Sequence, residues 1–319
     1  VTPTALLFAG QGTQFVGMGR ALRERFPEAR AVFDAADEAL GFDQTRVILE
    51  GPEETLAQTE FTQPAVLTVA CAAWAVISAR GFEPAVVAGH SLGEYGALVA
   101  AGILDFADAV RLTRLRGRAM QACVAPGVGA MAAVQRADEA HVQAACDAAA
   151  GVCAVAAFNA PGLVVVSGHA PAVAEVSARL EASGALVTPL PVSAPFHCAL
   201  LAPAAETLRD ALADVAFAPS RRPYIANVDA QWLDETTPDG VRARLVTQVV
   251  GAVRWRHSLE LMVERGIERF WHLGPGRSNL THVKRIARRA QVASFDDAAD
   301  LDGLLAALEA EGRAQTGAS

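Results

Sequence analysis

Residues 89–93 read Gly-His-Ser-Leu-Gly, the G-x-S-x-G pattern of a serine nucleophile carried on a sharp strand-to-helix turn. The pattern alone also occurs in ordinary turns. Here a short apolar run precedes it and a helix-forming run follows, which is the context the chemistry needs. Such a turn lifts the Ser91 hydroxyl out of a sheet, and glycines on both sides give the backbone room. The N-terminus of the following helix offers free N–H groups and a positive dipole end to a developing oxyanion.

A serine hydroxyl needs a base. Seven histidines are available: His90, His141, His169, His197, His257, His272 and His282. His90 adjoins the nucleophile but should point away from it. His141 falls on a surface helix. His197 follows Pro195-Phe196, where the chain leaves one folding unit and enters another, so it could reach a cleft between them. The residues alone leave this choice open.

A third group comes from helical projection. A helix capped by Asp105 and running to about Val124 carries Arg111, Arg114, Arg116 and Arg118. At about 100° per residue, Arg111, Arg114 and Arg118 share one arc, the expected solvent face. Arg116 falls opposite, among Ala109, Leu112, Thr113 and Met120. A guanidinium there is costly without a partner. It reads either as half of a buried ion pair or as a fixed, bidentate clamp for a carboxylate. Beside a nucleophilic serine, the clamp implies an acyl group that ends in a carboxylate.

The elements that must position these groups alternate strand and helix, the order of a parallel sheet covered by helices. Ala5–Ala9 reads as a buried strand opening into Gly10-Gln11-Gly12. A helix follows from Met18, ending or restarting at Pro27. Another covers Gln63–Arg80 with Gly81 past its end. Ala85–Ala88 is a strand and Leu92–Ala101 a helix. After Pro126-Gly127 the rhythm becomes β-α-β-β-α-β, the ferredoxin-like order, with strands at Val128–Val134, Val152–Phe158, Leu163–Ser167 and Ala185–Leu190. Its helices are Ala137–Ala150 and Pro171–Ser183, the second with proline at its start and Gly184 beyond its end. The larger unit resumes near Ser193 with a helix from about Ala202. It closes with a strand at Ile267–Leu273, the Gly274-Pro275-Gly276 loop and a helix from Ser278. The expected division is a large α/β domain over residues 1–126 and 193–319, with a small subdomain inserted at 127–192.

Composition sets bounds. The chain has 319 residues, 52% hydrophobic and 19% charged, enough for a sizeable core and too apolar for a disordered tail. The net charge of −8 argues against a nucleic-acid footprint. No run approaches the about 20 apolar residues of a membrane helix, and no signal peptide is visible, so a cytoplasmic protein is expected. Cys71, Cys123, Cys146, Cys153 and Cys198 form no C-x-x-C pair and read as buried thiols in a reducing compartment. Lys284 is the only lysine.

Together these residues resemble the malonyl-CoA:acyl-carrier-protein transacylases and the related acyltransferase domains of polyketide synthases, over about residues 4 to 310. Phe8–Gln14, FAGQGTQ, is similar to the family's opening loop, and Gly89–Gly102, GHSLGEYGALVAAG, to its most specific signature. Pro191–Leu200, PVSAPFHCAL, is similar to the stretch carrying its catalytic histidine, and Gln248 and Gly274-Pro275-Gly276 to later landmarks. The resemblance implies an α/β-hydrolase-like large domain with the ferredoxin-like subdomain roofing a cleft. It implies Ser91 as nucleophile, His197 as base and later acid, and Arg116 as the malonyl carboxylate site. The backbone N–H groups of Gln11 and Leu92 would form the oxyanion hole, and the Gln248 carbonyl would orient His197. Two departures stand out: Ala9 replaces the usual proline before Gly10, and Leu163 stands where many relatives are polar.

The implied reaction moves malonyl from malonyl-CoA to the phosphopantetheine thiol of an acyl carrier protein through a malonyl-serine. It belongs to fatty acid or polyketide biosynthesis and implies no metal or redox cofactor. The alternatives are a polyketide acyltransferase with another extender unit, an acyl-carrier hydrolase in which water resolves the acyl-enzyme, and a non-catalytic carrier-binding module. A monomer is expected. Leu92 and Phe196 should both face the acyl chain, the phenyl ring filling the space of an α-methyl. An acidic carrier calls for a basic patch, and the best cluster is Lys284, Arg285, Arg288 and Arg289 on the helix after Gly276.

Overall fold

The computed structural model describes residues 2–192, 194–295 and 299–306. The expected return point, Ser193, and the end of the expected last segment, 307–319, lie outside the described residues. The large unit begins with β1 (Thr4–Phe8), α1 (Arg20–Arg25), α2 (Pro27–Leu40), α3 (Gln44–Glu50), α4 (Glu53–Leu56), α5 (Thr59–Ser78), β2 (Val86–Gly89), α6 (Gly93–Ala100) and α7 (Phe106–Ala122). Next come β3 (Gly129–Gln135), α8 (Glu139–Asp147), β4 (Cys153–Ala160), β5 (Leu163–His169), α9 (Ala170–Ala182) and β6 (Leu186–Pro189). The large unit then continues with α10 (Ala202–Ala213), β7 (Tyr224–Ile225), β8 (Trp232–Leu233), α11 (Pro238–Val250), α12 (Trp255–Glu264), β9 (Arg269–Leu273), α13 (Ser278–Ile286) and β10 (Gln291–Phe295).

The main sheet has the order β10-β9-β1-β2-β7-β8. It is parallel except for β8, which pairs antiparallel with β7. β1 lies near its middle and is buried throughout, which is why Thr4–Phe8 is an unbroken apolar run after its first residue. Leu6 and Phe8 join one core and Ala5 and Leu7 the other, so helices cover both faces. The second sheet is antiparallel with the order β4-β5-β3-β6, the ferredoxin-like arrangement read from the sequence. It has its own core of Val134, Val142, Val166, Val176 and Leu180. Reciprocal bonds tie β4 to the large unit: Val253 N–H donates to Ala156 O (2.9 Å) and Phe158 N–H to Val253 O (2.9 Å).

Several boundaries differ from the sequence reading. The helix expected from Met18 starts at Arg20, and the chain restarts at Pro27 as the first residue of α2, which Gly41 ends in a left-handed conformation. α5 begins at Thr59, four residues before the expected Gln63, with Pro64 inside it. α5 is also long and apolar enough to qualify as a membrane span, contrary to the reading that no run approaches that length. However, 83% of that window is buried inside the fold, so α5 is a core helix. The five cysteines are free; Cys71, Cys146 and Cys198 are buried, and Cys123 and Cys153 half-buried.

α7 behaves as projected. Asp105 caps it through Ala107 N–H (2.8 Å) and Asp108 N–H (3.4 Å), and Ala109, Leu112, Thr113, Arg116 and Met120 are buried. What brings α7 close to α5 is Gly117. A Cβ there would stand 2.4 Å from the Thr59 carbonyl oxygen. This close approach sets the depth of the neighbouring Arg116. Gly117→Ala is therefore expected to push the two helices apart and cost about 1–3 kcal/mol. Urea denaturation checks this; an unchanged midpoint and slope would show that the contact relaxes freely.

Candidate active site

Ser91 stands between β2 and α6 with a φ of +53°, a strained value for a side-chain-bearing residue. The flanking glycines are sterically required. A Cβ on Gly89 would lie 1.9 Å from the Gly93 carbonyl oxygen, and one on Gly93 would lie 2.5 Å from the Phe8 carbonyl oxygen. The turn is also clamped from β7. Ser91 N–H donates to Asn227 Oδ1 (2.7 Å), and Asn227 Nδ2 donates to the Gly89 carbonyl (2.7 Å). One amide thus holds both arms of the elbow. Asn227 had no signal in the sequence beyond being polar in an apolar stretch.

Of the seven histidines, His197 is the one whose ring reaches the serine. Its Nε2 is 2.7 Å from Ser91 Oγ, and its Nδ1 is 2.8 Å from the Gln248 carbonyl oxygen. A carbonyl only accepts, so Nδ1 carries the proton and Nε2 offers its lone pair to the hydroxyl. Burial, reinforced by the positive charge of Arg116, pushes the His197 pKa down to about 3. His90 turns away, as expected, and meets Asn159 Oδ1 at 2.8 Å.

Arg116 is 2% exposed. Its Nη1 donates to Gln63 Oε1 (2.8 Å), and its Nη2 to Gln248 Oε1 (2.9 Å) and Ser91 Oγ (3.2 Å). Its Nε has no partner, and among the described residues it forms no ion pair. Arg111 and Arg114 on the same helix pair with Asp108 and Glu60. Of the two readings of Arg116, the structure therefore lacks the buried ion pair. What surrounds the guanidinium is neutral oxygen.

Gln248, on α11, is fully buried and acts from both ends. While its backbone carbonyl meets His197, its side-chain nitrogen donates to the Ser91 carbonyl (3.0 Å) and to Glu94 Oε2 (2.6 Å). Glu94 also accepts from Asn227 N–H (3.2 Å). Burial raises the Glu94 pKa to about 7 against the hydrogen bonds from Gln248 and Asn227. Glu94, Gln63 and Asn227 are site residues the sequence reading missed. For Glu94 the clue was a carboxylate three positions after the nucleophile, inside an apolar helix.

Gln63, Ser91, Arg116 and His197 line a cleft of about 590 Å³, and Gln248, Glu94 and Asn227 stand outside its lining. Gln11, Ser91, Arg116 and His197 form one side, and Met131 and Val165 from the small sheet form the other. Phe196 lines it as expected. Leu92 does not: its side chain is fully buried in the core, because the elbow turns it inward as α6 begins. Only its backbone remains toward the cleft side. Neither the Leu92 nor the Gln11 N–H has an acceptor among the described residues. Leu163 starts β5 and does not line the cleft. The basic cluster is not confined to one helix. Lys284 and Arg285 lie in the last turn of α13, while Arg288 and Arg289 fall in the turn leading into β10. All four are exposed, and Lys284 Nζ donates to the Ala290 carbonyl (2.8 Å).

A serine on a strand-to-helix elbow, a carbonyl-oriented histidine and a neighbouring guanidinium define an acyl-transfer class of protein. The family model described as the acyl transferase domain matches residues 5–270. The malonyl CoA-acyl carrier protein transacylase of Escherichia coli K12 is 42% identical over 301 residues, covering 93% of this chain and 97% of that protein. The Bacillus subtilis protein of the same name is 37% identical, covering 96% and 98%. Among solved structures, an acyl carrier protein S-malonyltransferase from Vibrio cholerae superposes with a TM-score of 0.91 at 41% identity, covering 95% of this chain and all of that one. A malonyl-transacylase solved in complex with its type II PKS acyl-carrier protein gives 0.92 at 38% identity, covering 97% and 99%. The chain belongs to the malonyl CoA-acyl carrier protein transacylase family.

The depressed His197 pKa has a measurable consequence. A histidine protonated in the ordinary range loses its base function below about pH 6.5. Here the rate of Ser91 inactivation by an uncharged fluorophosphonate is expected to stay flat from about pH 8 down through 6.5 and to decline only well below. A half-maximal rate near the ordinary histidine pKa would contradict the neutral, buried imidazole.

Proposed function

We propose that this protein transfers malonyl from malonyl-CoA to an acyl carrier protein through a malonyl-Ser91 intermediate. His197 Nε2 takes the Ser91 proton as Oγ attacks the thioester carbonyl. The tetrahedral oxyanion is received by the N–H groups of Gln11 and Leu92, which have no acceptor among the described residues. The C–S bond then breaks, and His197 returns the proton to the leaving CoA thiolate. In the second half, the phosphopantetheine thiol gives its proton to His197 and attacks the malonyl ester, and Ser91 is reprotonated as it leaves. The Gln248 carbonyl holds the imidazole in the required tautomer throughout.

The single observation that carries the malonyl assignment is Arg116. It is a buried guanidinium with no ion-paired carboxylate among the described residues, hydrogen-bonded to the hydroxyl that would carry the acyl group. A malonyl carboxylate would supply a counter-charge in direct contact with the guanidinium, where the described residues offer only neutral oxygens. Phe196 narrows the cleft next to the base and favours an acyl group without an α-branch. The exposed Lys284, Arg285, Arg288 and Arg289 offer an acidic carrier a basic surface. The division into residues 1–126, 127–192 and 193–319 belongs to this proposal, the small subdomain closing the cleft over Ser91. The protein would act in the cytoplasm.

Two experiments test the reading. Intact-mass analysis after malonyl-CoA treatment should show one added malonyl, retained until a carrier is supplied and absent in Ser91→Ala. Label that persists in Ser91→Ala moves the chemistry elsewhere, and label lost to water without a carrier indicates a hydrolase. Arg116→Ala should lose about 100-fold or more in kcat/KM for malonyl-CoA while acetyl-CoA suffers far less, because acetyl has nothing to pair. Equal loss of both substrates in a folded variant would make Arg116 structural.

A further inference from the structure

The Gln248 side chain lies between two buried charges. Its amide oxygen accepts from Arg116 Nη2 (2.9 Å), and its amide nitrogen donates to Glu94 Oε2 (2.6 Å). The amide dipole is therefore aligned with its negative end on the guanidinium and its positive end on the carboxyl. Glu94 Oε1 is buried with no partner, so an added proton can reside there without disturbing either bond to Oε2. The groups facing Glu94 are Arg116 from α7, Asp229 beyond β7, its neighbour Tyr95 and Tyr224 on β7. Asp229 is itself engaged by Arg244 at 2.8 Å. Arg116 is thus the cation whose field Glu94 senses most directly.

We propose that Glu94 is the resident counter-charge of Arg116, acting through the Gln248 amide, and that it takes up a proton from solvent when the acyl carboxylate arrives. This rests on the reading that Arg116 binds that carboxylate. Glu94 is a positioning and specificity-setting residue, since its side chain touches neither the acyl group nor the Ser91 hydroxyl. The physical argument is linkage. With malonyl absent, the guanidinium favours the ionised carboxyl. A second carboxylate on Arg116 consumes that field and adds a like charge, so proton affinity at Glu94 rises. With a starting pKa of about 7, the change falls where pH can read it. The sign follows: malonyl binds the protonated form more tightly, so its affinity weakens as pH rises through neutrality. Each unit by which the Glu94 titration moves corresponds to about a tenfold difference in affinity between the two forms.

The test uses the full-length Ser91→Ala protein, which binds without turnover. Calorimetry in buffers of different ionisation enthalpy measures protons taken up with malonyl-CoA and with acetyl-CoA. Acetyl-CoA carries the same CoA phosphates, so the difference isolates the acyl carboxylate. The expected result is net proton uptake near neutral pH for malonyl-CoA only. The malonyl-CoA Kd, relative to acetyl-CoA, should rise about fivefold between about pH 6 and about pH 8 for a one-unit movement. Glu94→Gln keeps an acceptor for Gln248 and Asn227 but cannot ionise, and should abolish both effects. Should that variant not fold, Asp229→Asn removes a neighbouring negative charge and should move the uptake midpoint to lower pH. Equal uptake for both thioesters, persistence in Glu94→Gln or an unmoved midpoint in Asp229→Asn overturns the proposal. Adding Arg116→Ala separates the two readings. If it leaves the malonyl preference intact, the carboxylate assignment fails and this inference fails with it. A preference that depends on Arg116 but carries no proton sinks the Glu94 role alone.

Discussion

Everything in this site is arranged around one uncomfortable charge. A guanidinium 2% exposed, with no carboxylate of the described residues in ion-pair reach, should carry a desolvation penalty of several kcal/mol. The protein offsets it with neutral oxygens from Gln63, Gln248 and Ser91, and with the Tyr95 ring 5.9 Å from the guanidinium carbon. None of these is as strong as a carboxylate. The arrangement therefore leaves binding energy unused in the empty enzyme, available to an anionic acyl group. On the proposed reading, selectivity arises because the counter-ion in direct contact belongs to the substrate.

The same charge constrains His197, the proposed base. A protonated His197 beside Arg116 would place two cations together in a dry cleft, so the imidazole stays neutral at rest. Neutrality suits a base waiting for a hydroxyl proton. In the proposed reaction it also means that the imidazolium formed during attack is unwelcome, and that passing the proton on to the leaving thiolate relieves it. The strain at Ser91, with φ +53°, and at His197, with φ +62°, fixes both groups at 2.7 Å so that little reorganisation is needed.

How much of this was legible in the sequence follows from how local each signal is. The elbow was readable because Gly89, Ser91 and Gly93 satisfy a constraint within five residues, and the structure shows why neither glycine tolerates a Cβ. Arg116 was readable because a helix makes burial periodic. The ferredoxin-like unit was readable because its strands and helices each carry their own boundary residues. α11 and α12 went unread, and with them the placement of Gln248. Asn227 and Glu94 joined the site through contacts 133 to 154 residues apart in sequence, which no local pattern encodes. Leu92 erred in a different way. Adjacency to the nucleophile suggested a side chain in the cleft, but a turn this sharp sends consecutive side chains in opposing directions, and Leu92 became core.

The choice of Gln248 to orient His197 follows from the same electrostatics. A serine enzyme ordinarily places an aspartate behind the histidine, where its charge stabilises the imidazolium. An aspartate at this distance from Arg116 would pair with it and satisfy the guanidinium permanently. It would also repel the malonyl carboxylate. A backbone carbonyl orients Nδ1 as well as a carboxylate does, at 2.8 Å, and adds no net charge. Its own side chain can then serve Arg116 with one amide atom and Glu94 with the other. A single buried glutamine thus replaces the usual anion behind the base, and keeps the one buried anion nearby, Glu94, an amide's length from the guanidinium.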